Sequence, residues 1–179
     1  MGFAGSIGAG KTTGALYLSK KYHVGYVRYS QVIAEWAAEP EGAKDRLQAR
    51  GWEIMSKGLQ AELNRRLLAR IRPEESCAVD GLRHDTDERT LREAFGRAFF
   101  LIYVEATEGM RWSRTFSSGR FSDRTAFEEA DLHPVERAVC SLRNHSFSVV
   151  ENVGTLASYE RALDVIINRI QRASSGDQS

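Results

Sequence analysis

The sequence predicts an α/β fold, a three-layer α/β/α sandwich built around a five-stranded, mainly parallel sheet. Three observations carry that prediction. Short runs of β-formers alternate along the chain with segments of helical periodicity. One such run, residues 98–104, is continuously apolar, as expected of a strand covered on both faces. Finally, Gly5-Ser6-Ile7-Gly8-Ala9-Gly10-Lys11-Thr12 fits G-x-x-x-x-G-K-[ST] without mismatch, a loop that joins a strand to a helix.

Phe3-Ala4 reads as the end of the first strand; only four residues precede Gly5, which leaves open whether native residues come before Met1. A helix follows from about Gly10 to Tyr22, with Ala15, Leu16 and Leu18 as its apolar positions. Residues 24–29 read as the second strand. Ser30 is placed to cap a helix over 31–39, which Pro40 and Gly42 end. Residues 44–71 read as one long amphipathic stretch with a break at Gly51, and Pro73 stops it. A short buried strand at 76–81 follows, then a helix over 88–95 with Asp85, Thr86 or Asp87 as its cap. Beyond the apolar strand, 107–115 is helical and basic, 117–123 is a polar loop, 134–142 is helical and 147–152 is the last strand. The closing helix spans 156–172 with Leu163, Ile166, Ile167 and Ile170 on one face, and 173–179 reads as a disordered tail. Residues 1–172 form a single domain, with no internal repeat and no dividing linker.

Composition narrows the function classes. With 25 Lys+Arg against 24 Asp+Glu the chain has no excess of charge for general nucleic-acid binding. No run reaches the roughly 18 apolar residues of a membrane span and no signal peptide is evident, so a cytoplasmic protein is expected. Cys77 and Cys140 have no metal-like spacing and read as reduced, buried small residues.

The glycine loop suits a polyphosphate. Glycines 5, 8 and 10 let the backbone curl until successive N–H groups face phosphate oxygens, and the helix beyond adds its positive end. Gly5, Ser6, Ile7, Gly8, Ala9, Gly10, Lys11, Thr12 and Thr13 are therefore the candidate ATP site. Lys11 would reach the β- and γ-phosphates, and the Thr12 hydroxyl would take one position on Mg²⁺. Asp80 ends an apolar strand and is the candidate for the second protein position on that ion. Arg83, three residues on, would point into the same cleft with a fork suited to a phosphate monoester. Arg111, Arg114, Arg120 and Arg124 form a second basic group, in a helix and loop where mobile cations could cover a transferring phosphoryl group; Arg114, Arg120 and Arg124 are the preferred members. His133 and Glu136 admit a metal or acid–base reading, but Pro134 favours a plain helix start.

Asp80-Gly81-Leu82-Arg83, with the glycine loop, resembles the Asp-Gly-x-(Pro)-Arg signature of the phosphate-loop nucleoside and nucleotide monophosphate kinases, adenylate-kinase-like and dephospho-coenzyme-A-kinase-like. That resemblance implies a kinase of the phosphate-loop NTPase type using ATP and Mg²⁺, with Asp80 serving the metal and Arg83 the acceptor phosphate. It also implies a lid over 107–124 and an acceptor-binding insert over 30–73, with Tyr29, Ser30, Ile33 and Trp36 as possible lining. The 151–155 segment resembles the loop that packs on the donor adenine, with Asn152 and Gly154 as contacts; Gly154-Thr155 reads equally as a turn and helix cap. The partner expected is a small nucleotide, with no membrane and no nucleic acid. A hydroxyl acceptor, an NTP-hydrolysing switch and a binding-only member stay open, as do the acceptor's identity and the oligomeric state.

Overall fold

The computed structural model describes residues 1–40 and 44–175. Its sheet contains β1 (Gly2–Ala4), β2 (Gly25–Arg28), β3 (Cys77–Leu82), β4 (Leu101–Glu105) and β5 (Ser148–Glu151), in the order β2-β3-β1-β4-β5 with every neighbouring pair parallel. Nine α-helices among the described residues flank it: α1 (Lys11–Tyr22), α2 (Tyr29–Ala37), α3 (Lys44–Ser56), α4 (Gln60–Leu68), α5 (Asp85–Phe95), α6 (Glu108–Ser117), α7 (Arg124–Asp131), α8 (Pro134–Val139) and α9 (Leu156–Ser175). The three-layer α/β/α architecture is the one the alternation of strands and helices predicts.

The two-residue period of each strand assigns its side chains to two cores. Phe3, Ala78, Ile102 and Val104 face α1 and α9, where Leu18, Tyr159, Leu163 and Ile166 meet them. Ala4, Val79, Leu101 and Tyr103 face the other way, onto Val32, Leu63, Leu67 and Leu91. A third, small cluster joins Ile7 of the glycine loop to Phe121 and Phe127. Because the sheet is buried on both faces, the open ground for a ligand lies at the carboxyl ends of β1, β2 and β3, beside the change of direction in strand order.

Several boundaries differ from the sequence reading for identifiable reasons. The long stretch breaks at Gly58, not Gly51: Gly58 has φ +69° and its N–H bonds Met55 O while Leu59 N–H bonds Ile54 O, so the two residues close α3 as a left-handed cap. Gly51 sits inside α3, with room toward Ile33. Tyr29 opens α2 instead of ending β2, and Ser30 makes no cap. The cap of α5 is His84, whose Nδ1 accepts from Thr86 N–H while Asp87 returns the favour to His84 N–H at 3.0 Å. Beyond the polar loop, residues to which the sequence reading assigns no element form a helix, α7, capped by Asp123. Helix α9 continues through Ser175, three residues into the expected tail, and the remainder of that segment lies outside the described residues, as do 41–43. Both cysteines are free, with Cys77 half-buried and Cys140 exposed instead of buried. None of the described helices is long and apolar enough to cross a membrane.

Candidate active site

The loop between β1 and α1 is wound as its glycines require. Gly5 has φ +138°, and a Cβ there would stand 2.3 Å from Val104 O, so the loop leaves β1 pressed against β4. Gly10 has φ +109° at the N-cap of α1, and a Cβ there would strike Asn152 Nδ2 at 2.4 Å. Within this curl Lys11 is buried and its Nζ donates to Gly5 O at 2.5 Å and Ser6 O at 2.9 Å. Burial, reinforced by the Arg83 guanidinium, holds the Lys11 ammonium well below its ordinary pKa.

Asp80 lies one strand away, level with Phe3 on one side and Arg28 on the other. Its Oδ2 accepts from Thr12 Oγ1 at 2.7 Å and from Tyr26 OH at 3.0 Å. Burial and the neighbouring carboxylate push the Tyr26 phenol up, which keeps it a donor. Asp80 Oδ1 is buried without a hydrogen-bond partner. A hydroxyl and an orphaned carboxylate oxygen side by side fit a hard, oxygen-seeking cation that takes its other ligands from phosphate and water. Among the described residues no group of three or more His, Cys, Asp or Glu stands together as a metal cage.

These groups open onto a cavity of about 500 Å³. The glycine loop contributes Gly8, Gly10, Lys11, Thr12 and Thr13; β3 and its exit contribute Asp80, Gly81 and Arg83; α6 and the turn after it contribute Arg114, Ser118 and Arg120. From the insert come Tyr29, Ser30, Ile33, Leu47 and Gln48, and from the end of β2 comes Arg28. Arg83 is paired with Glu136 of α8, and burial, with Arg120 close by, draws its guanidinium down to about 10, still charged at neutral pH. Five cationic side chains therefore share the cavity with one acid, Asp80.

The predicted residues fall into two groups. Lys11, Thr12, Thr13, Asp80, Arg83, Arg114 and Arg120 converge. Arg124 does not: it opens α7 on the outside, paired with Glu108 and, at 2.7 Å, with Glu128, over the rings of Trp112 and Phe127. The helix begun by Asp123 turns it away from the loop that carries Arg120. Asn152 proves a brace, since its Nδ2 donates to Ala9 O at 2.9 Å while its own O and Oδ1 accept from Arg114 Nη2. Gly154 does not line the cavity; a Cβ there would meet Ser158 Oγ, in keeping with the cap reading. Trp36 lies under the Arg66 guanidinium, outside the cavity. His133 caps α8 through Nδ1, and Glu136 turns to Arg83 and the glycine loop instead of pairing with it. Arg28, Tyr26 and Glu136 are the site residues that sequence reasoning missed. Only Arg28 carried a local signal, a cation on the last residue of a strand.

Strand order, glycine loop and strand-end acid together define the fold of the phosphate-loop kinases, and solved structures agree. The chain superposes on shikimate kinase from Acinetobacter baumannii in complex with shikimate with a TM-score of 0.57 and 14% identity, covering 96% of this chain and 92% of that one. Shikimate kinase from Aquifex aeolicus gives 0.57 and 14% over 98% and 96%, and TT1252 from Thermus thermophilus gives 0.59 and 18% over 94% and 95%. In sequence, the chain is similar to a UPF0200 protein of Pyrobaculum aerophilum, 29% identical over 152 residues, 83% of this chain and 84% of that one. It is also similar to a UPF0200 protein of Methanosarcina acetivorans, 26% identical over 116 residues, 62% of each chain. No family model matches.

Proposed function

We propose that the protein is an ATP-dependent kinase that transfers the γ-phosphoryl group of Mg-ATP to a nucleoside or deoxynucleoside monophosphate. The observation that carries this reading is a cavity lined by Arg28 and Arg83 as well as by the glycine loop, with Arg114 and Arg120 at its α6 side. A hydrolytic switch needs the loop, the acid and one arginine at most. Two further arginines on the insert side suit a second anion, the acceptor's phosphate.

In this reading the donor's phosphates lie on the amides ahead of α1, and Lys11 exchanges its two carbonyl partners for phosphate oxygens. Thr12 and Asp80 would hold Mg²⁺, which when bound would supply charge neutralisation for the transferred group. Tyr26 fixes the orientation of Asp80. Arg83 and Arg28 aim the acceptor, and Arg120 meets charge developing on the moving group. No residue need form a covalent intermediate.

A second reading, transfer to a hydroxyl of a small acid, is favoured by the fold likeness to a shikimate kinase in complex with shikimate. One assay separates the possibilities: ADP formation from Mg-ATP with a panel of nucleoside and deoxynucleoside monophosphates, dephospho-coenzyme A and shikimate. The proposal expects turnover with a monophosphate and little without it. Turnover confined to the hydroxyl acceptors moves the assignment to the second reading, and ADP release independent of any acceptor sinks both.

A further inference from the structure

A carboxylate on α8 joins the glycine loop to Arg83. Glu136 is 2% exposed. Its Oε2 accepts from the Ile7 N–H of the glycine loop at 3.0 Å, and its Oε1 pairs with Arg83 Nη1. The Ile7 carbonyl is held as well, by Arg111 Nη1 at 3.2 Å, and that guanidinium is gripped by both oxygens of Asp131. Charged side chains from α6 and α8 thus hold one loop residue by both of its backbone polar groups. A buried carboxylate is costly unless its oxygens are matched, and these are matched to one group of the donor loop and one of the acceptor side.

Arg83 needs such a partner. Arg120 and Lys11 repel it, while Asp80 and Asp87 attract it from their own sides. Its side chain is 29% exposed, so packing alone does not fix its direction. Glu136 offsets the two repulsions and leaves the other guanidinium donors for the cavity.

We infer that Glu136 is a positioning residue that aims Arg83 at the acceptor's anionic group and fixes that aim to the frame of the glycine loop. The catalytic consequence rests on the kinase reading above; the effects on Arg83 and Ile7 do not.

Glu136→Gln keeps an oxygen for Ile7 N–H and removes the charge opposite Arg83, whereas Glu136→Ala removes both. With Mg-ATP and the monophosphate that the unaltered protein turns over fastest, Glu136→Gln should raise the acceptor KM about tenfold, the scale of one lost charge-assisted hydrogen bond, and hold the KM for ATP within about twofold. Glu136→Ala should raise both. A carboxylate that only supports the fold would lower the melting temperature and leave the acceptor KM unmoved, or shift both KM values alike in the Gln variant. Either result, or a lower acceptor KM, overturns the inference. A second arm needs no turnover and no Ala variant: nitrogen-15-labelled protein is titrated with inorganic phosphate while the Arg83 Nε–H and Ile7 amide signals are followed. In the Gln variant the Arg83 signal should require about tenfold more phosphate to saturate, with the Ile7 amide still hydrogen-bonded. Equal titration of the two proteins overturns the inference even if nothing on the panel is ever phosphorylated.

Discussion

In the kinase reading, the donor half of the cavity comes from the glycine loop, lined by Gly8 and residues 10–13, while the acceptor half gathers side chains from the end of β2, from α2 and α3 and from the exit of β3, with Glu136 of α8 paired to Arg83. In the first half the active groups are backbone amides, and their direction follows from glycine dihedrals that no other residue adopts comfortably. In the second half they are guanidinium forks that other side chains contact, Glu136 at Arg83 and Tyr26 at Arg28. A site made of backbone is rigid and tolerates little. A site made of paired side chains can be retuned one contact at a time. The two halves should therefore respond differently to substitution, all-or-none in one and graded in the other.

The largest effect is expected where the donor half depends on a side chain at all. Lys11→Met removes the only loop cation in reach of the transferred group and should lower kcat by about 10³-fold or more, the scale of losing a preorganised charge at the reacting centre. The melting temperature should stay near that of the unaltered protein, because Lys11 bonds only loop carbonyls and its burial carries a desolvation cost. Retention of turnover within tenfold would break the contrast, since it would make the donor half as adjustable as the other.

A mid-sized effect tests how far the α6 side of the cavity extends. Arg120→Ala should lower kcat about 10²-fold, whereas Arg124→Ala should stay within about twofold, as expected of an exposed ion pair on a helix surface. Side-by-side turnover of the two variants decides. A large loss at Arg124 would mean that α7 turns inward during the reaction.

The same contrast explains what the sequence made legible. Residues 5–13 were readable because their chemistry is local: spacing alone specifies a strand, a curl and a helix start. Asp80 and Arg83 were readable for a related reason, being three apart at the end of an apolar run. Tyr26 and Glu136 were not, because what gives each its role is a partner 54 and 129 residues away in the chain. Arg124 lies outside the cavity because the Asp123 cap and the Glu128 four residues on announce a new helix, signals that outweigh its place in a basic run. The insert breaks at Gly58, where a glycine followed by an apolar residue is a better stop signal than Gly51. In each miss the decisive term was a contact or a cap, not a propensity.

The smallest effect probes whether the donor half binds through backbone dipoles alone. In the free protein, burial and Arg83 hold Lys11 below its ordinary value of 10.5. Phosphate oxygens around the same ammonium would raise it again. Between the lowered and the raised value the free protein carries a neutral Lys11 and the complex a charged one, so binding takes up a proton in that window. Nucleotide affinity then falls as pH rises through the window, and Lys11 adds no slope below it, where both states are charged, or above it, where neither is. Calorimetric titration with ADP in two buffers of different ionisation heat reads the uptake directly, and Lys11→Arg, whose side chain stays charged, should abolish it. Uptake that persists in the Arg variant would belong to the nucleotide's own phosphates. Uptake absent at every pH in the unaltered protein would mean that the amides do the binding and that Lys11 acts only when the phosphoryl group moves.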